Sequence, residues 1–379
     1  MKLLFILTRY PGIGGIESVT HTVVRELLKE GHDIELCSFH QEGDYDMPCK
    51  LYRTPEKQYD SANNRLYLVN LLSEGSYDAV IYQDSYAPSE QCVFYAAEIN
   101  GVPVLTFEHN TPFRVEYKRN LAPWYTPMGL ARNVAHPYLV YKERSRKNYL
   151  LNHSFRYVLL AESFIDDFCS FLNIKTRDSR LRVIHNPISP CNAPALDEKR
   201  NAILCVCQLN SVKRVNLMLL VWSMISKQLP DWELWIVGDG QERKRLEAMM
   251  VRMNLQRVVF YGYQKSAPFY EHAKLFWMTS KFEGWGMTLV EAMQRLCVPI
   301  AMDTYSSLHD IIDNGQNGII CPPDDLNAFR EATLSLIKDD SMREKMAVNA
   351  REKTHVWEIN NVMKEWRVLL NEIGREKQA

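Results

Sequence analysis

The sequence has little net charge, no long apolar run and no paired cysteine motif, and each absence excludes a class of protein. Its 379 residues carry 45 basic and 46 acidic side chains, and the net charge of −1 argues against wholesale nucleic-acid binding. No apolar run approaches the roughly 20 residues of a membrane helix, and the run at residues 3–7 is too short for a signal peptide. Nine scattered cysteines without Cys-x-x-Cys spacing argue against a zinc site or a disulfide framework. We therefore expect a cytoplasmic protein without a membrane span.

Short apolar runs alternate with amphipathic helical segments in two successive sets. The apolar fraction of 46% and the charged fraction of 24% are those of a globular protein, and the length allows two domains. Alternating strands and helices predict an α/β fold with parallel, doubly wound, Rossmann-like sheets. The predicted strands are residues 3–8, 34–39, 79–82, 102–106 and 157–160 in the first set, and 203–206, 234–237, 258–261, 275–278, 299–301 and 318–320 in the second.

A stretch rich in proline and asparagine, residues 186–194, lies between the two sets and indicates a linker. We place an N-terminal domain at residues 1–186, the linker at 187–201 and a C-terminal domain at 202–354. Apolar residues at helical spacing predict a final helix within residues 355–379. Folds of this kind bind ligands beyond the carboxyl ends of their strands, so we expect a cleft lined by those ends.

The most informative motif is a pair of carboxylates, Glu283 and Glu291, separated by seven residues with Gly284 and Gly286 between them. A predicted strand precedes Glu283, and residues 287–296 form a predicted helix. Free amides at a helix N-terminus, together with the helix dipole, attract phosphate. The segment therefore offers a diphosphate site and two carboxylates for polar ligands, although an ordinary strand-to-helix turn with surface glutamates would look similar. The amides in question belong to Gly286, Met287, Thr288 and Leu289.

Two further candidates lie in the first set of elements. The loop after the first strand contains Gly14 and Gly15, which would let the backbone approach a phosphate or a sugar. It does not fit the dinucleotide pattern GxGxxG, because Glu17 stands where the last small residue belongs. His109 follows a predicted strand, where its ring could hydrogen-bond a substrate hydroxyl. A purely structural turn and a satisfied surface histidine remain the alternatives.

The second set supplies basic and aromatic candidates. Lys213 and Arg214 follow its first strand, and cations there can neutralise a diphosphate leaving group. Two cations at a helix N-terminus interact unfavourably with the helix dipole. A bound anionic ligand would explain their presence better than a solvated helix start does. Glycine turns at residues 238–240 and beside Tyr263 follow other strands, and the second of these could meet a nucleobase.

Residues 112–156 differ in character, with nine Lys or Arg against two Glu and several interleaved aromatic residues, Trp124 among them. Basic and aromatic side chains together suit an anionic membrane surface or a lipid pyrophosphate. A solvated helical hairpin is the alternative.

Taken together, these residues resemble the retaining glycosyltransferases of the GT-B fold, in the large family-four group. The resemblance covers essentially the whole chain and is strongest over residues 202–323. It implies two Rossmann-like domains that face each other across a cleft, with the acceptor side in the first and the nucleotide-sugar site in the second. The final helix would cross back to the first domain.

The resemblance also implies a role for each candidate. Glu283 would face the transferred sugar, and Glu291 the ribose hydroxyls. Lys213 would bind the donor phosphates, and His109 would reach the donor hexose. The other donor-binding candidates are Gly14, Gly15, Arg214, Tyr263, Gly286, Met287, Thr288 and Leu289.

The implied activity is transfer of a hexose or N-acetylhexosamine from a nucleotide-diphosphate sugar, with a UDP-sugar preferred, to a saccharide acceptor with retention of configuration. The nucleotide sugar is a co-substrate, and neither a cofactor nor a metal is demanded because Lys213 and the helix amides supply positive potential. The basic segment suggests a lipid-linked acceptor in surface polysaccharide biosynthesis and peripheral contact with the inner face of the plasma membrane.

One position departs from the family pattern. Family members usually carry an arginine just after the strand at 203–206, where this chain has Gln208. The missing guanidinium removes a bidentate phosphate contact, for which Arg214 could substitute. Two alternatives stay open at this point: a sugar-nucleotide epimerase of the GT-B fold, and a non-catalytic protein that binds a nucleotide sugar.

Overall fold

The computed structural model describes residues 1–12, 14–41, 49–83, 88–119 and 125–376. Ile13 of the first glycine loop and Trp124 of the basic segment lie outside the described residues. The chain divides into two compact units. The first contains Met1–Val115, Ala135–Pro187 and Ile359–Ala379, and the second contains Glu116–Val134 and Ile188–Glu358.

The first unit has a parallel sheet whose described strands follow the order β3-β2-β1-β4-β5-β6-β7. Its strands are β1 Lys2–Arg9, β2 Asp33–His40, β3 Lys50–Arg53, β4 Ala79–Tyr82, β5 Val104–Phe107, β6 Arg156–Leu159 and β7 Leu181–Val183. Its helices are α1 Gly15–Lys29, α2 Ala62–Gly75, α3 Glu90–Ile99, α6 Ser163–Leu172 and the last helix of the chain, α14 Ile359–Glu376. Helices α4 Arg114–Arg119 and α5 Pro127–His153 have residues in both units.

Helix α14 covers the central strands of this sheet. Trp366 stacks on Phe107, with ring centroids 4.7 Å apart, and lies 6.1 Å from the ring of Phe5. The apolar residues of α14 recur every three or four positions, so they form one face that is buried in the core of the first unit. The C-terminal segment is therefore an integral part of this unit.

The second unit has a parallel sheet whose described strands follow the order β10-β9-β8-β11-β12-β13. Its strands are β8 Arg200–Val206, β9 Glu233–Val237, β10 Val258–Gly262, β11 Ala273–Met278, β12 Val298–Met302 and β13 Ile319–Cys321. Its helices are α7 Val215–Ile225, α8 Arg243–Arg252, α9 Ala267–His272, α10 Met287–Gln294, α11 Leu308–Ile311, α12 Leu326–Lys338 and α13 Asp340–Thr354. Strands β8 and β11 are neighbours, which brings their carboxyl ends together.

The units differ in two ways from the domains expected from the sequence. Residues 116–134, expected in the N-terminal domain, group with the second unit, where the ring of Tyr117 stacks on Phe282 at 5.7 Å between centroids. The stretch expected to be a linker also packs on the second unit. The side-chain amide of Gln294 donates to the Ser189 carbonyl (2.8 Å), and the Lys199 ammonium is buried against backbone carbonyls.

Two described strands, β3 and β7, were not predicted. Both are short, and both are the outermost strands of their sheet. Strand β3 has the sequence Lys-Leu-Tyr-Arg and contains no buried residue. Edge strands often carry charged side chains at positions where central strands carry apolar ones. Helix α5 is one continuous segment of 27 residues with Pro137 inside it.

Candidate active site

Lys213 and Glu283 lie at the centre of the candidate site in the second unit. Lys213 lies in the loop after β8, and Glu283 lies in the loop after the neighbouring β11, so adjacent strand ends bring the two side chains together. The Lys213 Nζ lies 2.5 Å from the Glu283 Oε1, and the side chains are 22% and 12% exposed. Burial alone would lower the pKa of Lys213, but the Glu283 carboxylate outweighs it and the pKa is raised. Lys213 therefore carries its charge at neutral pH.

Arg214 fixes the loop that carries Glu283. Its guanidinium donates to the carbonyl of Thr279 (2.7 Å) and to that of Ser280 (3.4 Å), and it pairs with Asp324. Its backbone has φ +51°, a left-handed conformation at the start of α7. The sequence placed Arg214 beside a diphosphate; in the structure its guanidinium is engaged by the protein, which gives it a role in shaping the loop.

The start of α10 offers unused backbone amides. Gly286 precedes the helix with φ +84°, a conformation that favours glycine. The amides of Leu289 and Val290 donate to the Gly286 carbonyl (2.9 and 3.3 Å). Within the described chain, the amides of Gly286, Met287 and Thr288 have no hydrogen-bond partner. Three of the four predicted amides are thus available to a ligand, and the amide of Leu289 is already used.

A cavity of about 10 Å³, which is room for about one water, joins these features. Lys213, Glu283 and Thr288 line it, so the structure brings three of the predicted residues to one place. Cys205 and Cys207 also line it, with their sulfurs 3.6 Å apart. Neither thiol was singled out from the sequence, because both lie in an apolar, strand-like run.

The glycine turn at residues 238–240 supports the loop that leads to Lys213. Gly238 has φ +134°, and a Cβ atom built there would lie 1.9 Å from the Cys207 carbonyl oxygen. A Cβ on Gly240 would lie 2.4 Å from the Leu209 carbonyl oxygen. Only glycine allows the two loops to pack this closely. Tyr263, which follows β10, presents a ring that is 73% exposed.

Glu291 lies one turn into α10, on a buried part of the helix. Burial raises the pKa of its carboxyl, although the Tyr270 hydroxyl and Arg295 oppose the shift. The Tyr270 hydroxyl donates to Glu291 Oε2 at 3.0 Å, and Tyr270 is itself buried. Tyr270 therefore positions the carboxylate. No sequence pattern predicts this contact, because it joins two helices, α9 and α10.

Two glycines of the first glycine loop lie close to the ends of charged side chains. Arg9 and Glu17 form an ion pair (Nε to Oε1, 3.0 Å) that fills the space above the loop. A Cβ on Gly14 would lie 2.2 Å from the Glu17 carboxylate, and one on Gly12 would lie 2.8 Å from Arg9 Nε. A Cβ on Gly15 would meet nothing within 4 Å, so open space lies beside that residue.

His109 follows β5 in the first unit and is held by Gln83, which follows the neighbouring β4. The ring Nε2 bonds the side-chain oxygen of Gln83, and we assign Nε2 as the protonated nitrogen. Nδ1 is then an acceptor, and it is buried without a partner in the described structure. Burial lowers the pKa of His109 to about 4, so the ring is neutral at physiological pH. Gln83 could have been suspected as a polar residue at a strand end.

His109 is expected to stay neutral down to about pH 5, since its pKa is lowered to about 4. In NMR spectra of the folded protein, its ring Cε1–H shift should stay constant from pH 8 to pH 5, whereas in urea it should titrate near ~6.5. The free energy of unfolding should also fall as the pH drops below the unfolded value, because the unfolded chain binds the proton first. Titration of the folded ring near 6.5 would contradict the buried, neutral assignment.

The described residues contain neither a metal-binding cluster nor a membrane-spanning helix. Among the described residues, no group of three or more His, Cys, Asp or Glu side chains could hold a metal ion. No described helix combines the length and the apolar character that crossing a membrane requires.

Two family models match the chain. The model described as Glycosyltransferase Family 4 matches residues 13–190, and the model described as Glycosyl transferases group 1 matches residues 192–353. Together they account for most of both compact units.

Individual relatives share about a quarter of the residues over part of the chain. A poly(glycerol-phosphate) alpha-glucosyltransferase of Bacillus subtilis is 26% identical over 202 residues, which are 51% of this chain and 30% of that protein. The Campylobacter jejuni enzyme named GalNAc-alpha-(1->4)-GalNAc-alpha-(1->3)-diNAcBac-PP-undecaprenol alpha-1,4-N-acetyl-D-galactosaminyltransferase is 24% identical over 246 residues, 62% of this chain and 68% of that protein. The match thus spans less than a third of the length of the Bacillus relative.

Among solved structures, S. aureus TarM in complex with fondaparinux, alpha-GlcNAc-glycerol and UDP is similar over nearly its whole length. The TM-score is 0.75 at 15% identity, and the match covers 98% of this chain and 99% of that chain. At this identity the likeness establishes the fold alone.

Proposed function

Since the chain belongs to the GT-B glycosyltransferases of family four, we propose that it moves a hexose or an N-acetylhexosamine from a nucleotide-diphosphate sugar to a saccharide acceptor, with retention of configuration. The donor is a UDP-sugar, and the setting is surface polysaccharide biosynthesis. The observation that carries the proposal is the Lys213–Glu283 pair, 2.5 Å apart, beside the unused amides at the start of α10.

The donor diphosphate is placed at the amides of Gly286, Met287 and Thr288. These amides and the α10 dipole favour an anion, and the Lys213 ammonium adds a full positive charge. Lys213 and Thr288 line the same small cavity, so the ammonium group and the start of α10 lie close together. Because these groups supply the positive potential, the proposed mechanism needs no metal.

The sugar and the ribose are assigned to the two carboxylates. Glu283 faces the transferred sugar, where its negative charge stabilises the oxocarbenium character that develops at the anomeric carbon. Glu291 accepts hydrogen bonds from the ribose hydroxyls, with Tyr270 holding its other side. His109 keeps the role expected from the sequence, a hydrogen bond to a hydroxyl of the donor hexose, and its unpartnered Nδ1 supports that role.

The chemical step breaks the bond between the anomeric carbon and the phosphate oxygen, and forms a bond from the acceptor oxygen to the same carbon. The acceptor hydroxyl attacks on the face from which the diphosphate departs, and its proton goes to the leaving phosphate oxygen. Configuration is therefore retained. The contribution of the protein is to stabilise the departing diphosphate and the positive sugar.

The residue that replaces the family arginine does not supply a cation. Gln208 is exposed, and its side-chain oxygen accepts from the Asn210 amide at 3.1 Å. Arg214 is engaged by the loop after β11. Of these basic candidates after β8, Lys213 is the one we assign to the diphosphate, which makes donor binding depend strongly on it.

Donor binding is tested by the shift in unfolding temperature with UDP-, GDP- and ADP-sugars. We expect one or more UDP-sugars to raise it by several degrees, since a ligand that binds only the folded state stabilises it. Glu291→Ala should abolish most of the shift, because the ribose contact is lost. A matched control is Glu331→Ala, which replaces an exposed carboxylate on α12. If UDP-sugars fail to shift the wild type, the donor site does not exist as proposed.

The acceptor is assigned as a lipid-linked saccharide. Helix α5 exposes Leu130, Val134, Tyr138 and Tyr141, between 61% and 76% of each, and their spacing of four, four and three places them on one face. Basic residues accompany this face on the same helix, a combination suited to the surface of an anionic membrane. The printed name of the Campylobacter relative, which includes an undecaprenol-linked glycan, is consistent with this assignment.

The membrane assignment predicts binding of the purified protein to anionic liposomes at low salt. Val134→Asp together with Tyr138→Asp should weaken the binding, because charge is introduced at the centre of the apolar face. Val251→Asp, at an apolar residue of α8 that is 72% exposed, is the matched control. Wild-type protein that stays in solution with liposomes at low salt would contradict the assignment.

A further inference from the structure

A cavity of about 500 Å³ lies among α2, α3 and α5 of the first unit, and the proposed reaction does not use it. Its lining residues come from Arg65 of α2, from residues 90–98 of α3 and from residues 142–149 of α5. Its volume falls within the roughly 300–1,000 Å³ range of ligand sites. The cavity is therefore large enough to be a binding site in its own right.

An aromatic ring is held ready at this cavity. Tyr95 lines the cavity and is 45% exposed. The Arg65 guanidinium lies over the ring at 5.5 Å from its centroid. Two 2.7 Å hydrogen bonds to Asp60 fix that guanidinium. Tyr95 thus forms a pre-organised platform, and the apolar C–H face of a sugar ring stacks on such a platform.

Polar groups of both kinds surround the platform. Glu90 and Arg146 are paired at 3.0 Å and mostly buried. The side chains of Gln91, Glu98 and Lys142 have no hydrogen-bond or ion-pair partner in the described part of the chain, and all three line the cavity. They offer donors and acceptors to a ligand at little cost in broken internal bonds.

The charges around the cavity balance. Arg65, Lys142 and Arg146 face Glu90 and Glu98 in the lining, and Asp60 neutralises Arg65 from behind. A balanced, hydrogen-bonding surface gives no net attraction to a polyanion. The combination of a fixed aromatic ring with unused polar groups of both signs fits a neutral, polyhydroxylated ligand.

This cavity and a neighbouring one that shares Glu98 are together called the groove. Glu90 and Glu98 are eight residues apart on α3, which is about 12 Å along a helix. A second cavity, of about 390 Å³, shares Glu98 and continues past the end of α3 to the beginnings of β5 and β6. Because α3 connects the carboxyl end of β4 to the beginning of β5, the groove leads away from the edge that carries Gln83 and His109. Its length exceeds that of a single hexose.

We infer that this groove binds a neutral oligosaccharide, a part of the acceptor glycan remote from the sugar that reacts. The inference rests on the proposed function in one respect, that the acceptor is a saccharide. Tyr95 stacks on one sugar ring, while Gln91, Glu98 and Lys142 hydrogen-bond its hydroxyls. The site holds the growing chain without contributing to the chemical step.

The test is binding of the full-length protein to an array of neutral and acidic bacterial surface glycans. The wild type is expected to bind neutral oligosaccharides, and Tyr95→Ala to bind them about tenfold more weakly. Glu98→Ala should weaken binding as well. Val251→Ala, at an exposed apolar residue of α8 in the second unit, is the matched control and should bind like the wild type. Unchanged unfolding temperatures and unchanged UDP-sugar shifts in all variants show that the fold and the donor site are intact.

Three results would overturn the inference: no glycan bound by the wild type, a preference for acidic glycans, or full binding by Tyr95→Ala. The shift in unfolding temperature with nucleotide sugars distinguishes failure of the inference from failure of the proposed function. Tyr95-dependent glycan binding in a protein that neither binds nor cleaves any nucleotide sugar would refute the transferase and leave the saccharide groove standing.

Discussion

Glu283→Gln is expected to lower kcat by about 10²- to 10³-fold, while donor affinity changes by less than about threefold. The reason is that the carboxylate meets a nearly neutral sugar in the bound donor and a positively charged one in the transition state. Glutamine keeps the size of the side chain and removes its charge. Losing the carboxylate also frees Lys213, which lies 2.5 Å away, so binding of the diphosphate does not suffer.

The measurement is steady-state kinetics of nucleotide release, with donor affinity determined separately by calorimetry. Glu247→Gln is the matched control, since Glu247 is a partly exposed carboxylate of α8 that pairs with Arg243 at 2.9 Å. An unchanged kcat in Glu283→Gln would remove Glu283 from the reaction. A loss confined to donor affinity would move it to a binding role.

Lys213→Met is expected to weaken donor binding by about 10- to 150-fold, the value of one charge-assisted hydrogen bond to phosphate. Methionine keeps the length of the side chain and its apolar stem. Because Gln208 and Arg214 offer no guanidinium to the diphosphate, no neighbouring cation compensates for the loss. The variant should also unfold at a lower temperature, since Glu283 is left mostly buried without its partner.

The double variant Lys213→Met/Glu283→Gln separates the effect on donor affinity from the effect on unfolding temperature. It should regain most of the lost unfolding temperature, because the unpaired charge is gone, but it should not regain donor affinity. Recovery of donor affinity in the double variant would show that Lys213 serves only to neutralise Glu283, and that the diphosphate is bound elsewhere.

The fold follows from the sequence where apolar runs are buried on both faces. Strand β4 occupies residues 79–82 as predicted, and the other central strands were found to within a few residues. Strands β3 and β7 were missed because they are short edge strands, and β3 is as polar as a loop. Hydrophobic periodicity indicates which segments are buried. Edge strands bury few side chains, so this pattern does not reveal them.

In the candidate site, too, some features could be predicted from the sequence and others could not. Lys213, Glu283 and Thr288 were predicted from residue type and spacing, because each follows a strand that the apolar pattern indicates. In the structure the three line one cavity. The roles of their partners depend on tertiary packing. No local signal indicates that Tyr270 bonds Glu291, or that Arg214 turns to carbonyls rather than to a ligand.

Stereochemistry and site can be tested in one experiment, time-resolved proton NMR of a UDP-α-hexose that raises the unfolding temperature. We expect UDP release with the free sugar appearing first as its α anomer, before mutarotation, and transfer to an added glycan acceptor with the α configuration kept. Glu283→Gln should abolish both signals. A sugar that appears first as the β anomer would contradict retention, and absence of UDP release with every donor that binds would contradict the transferase itself.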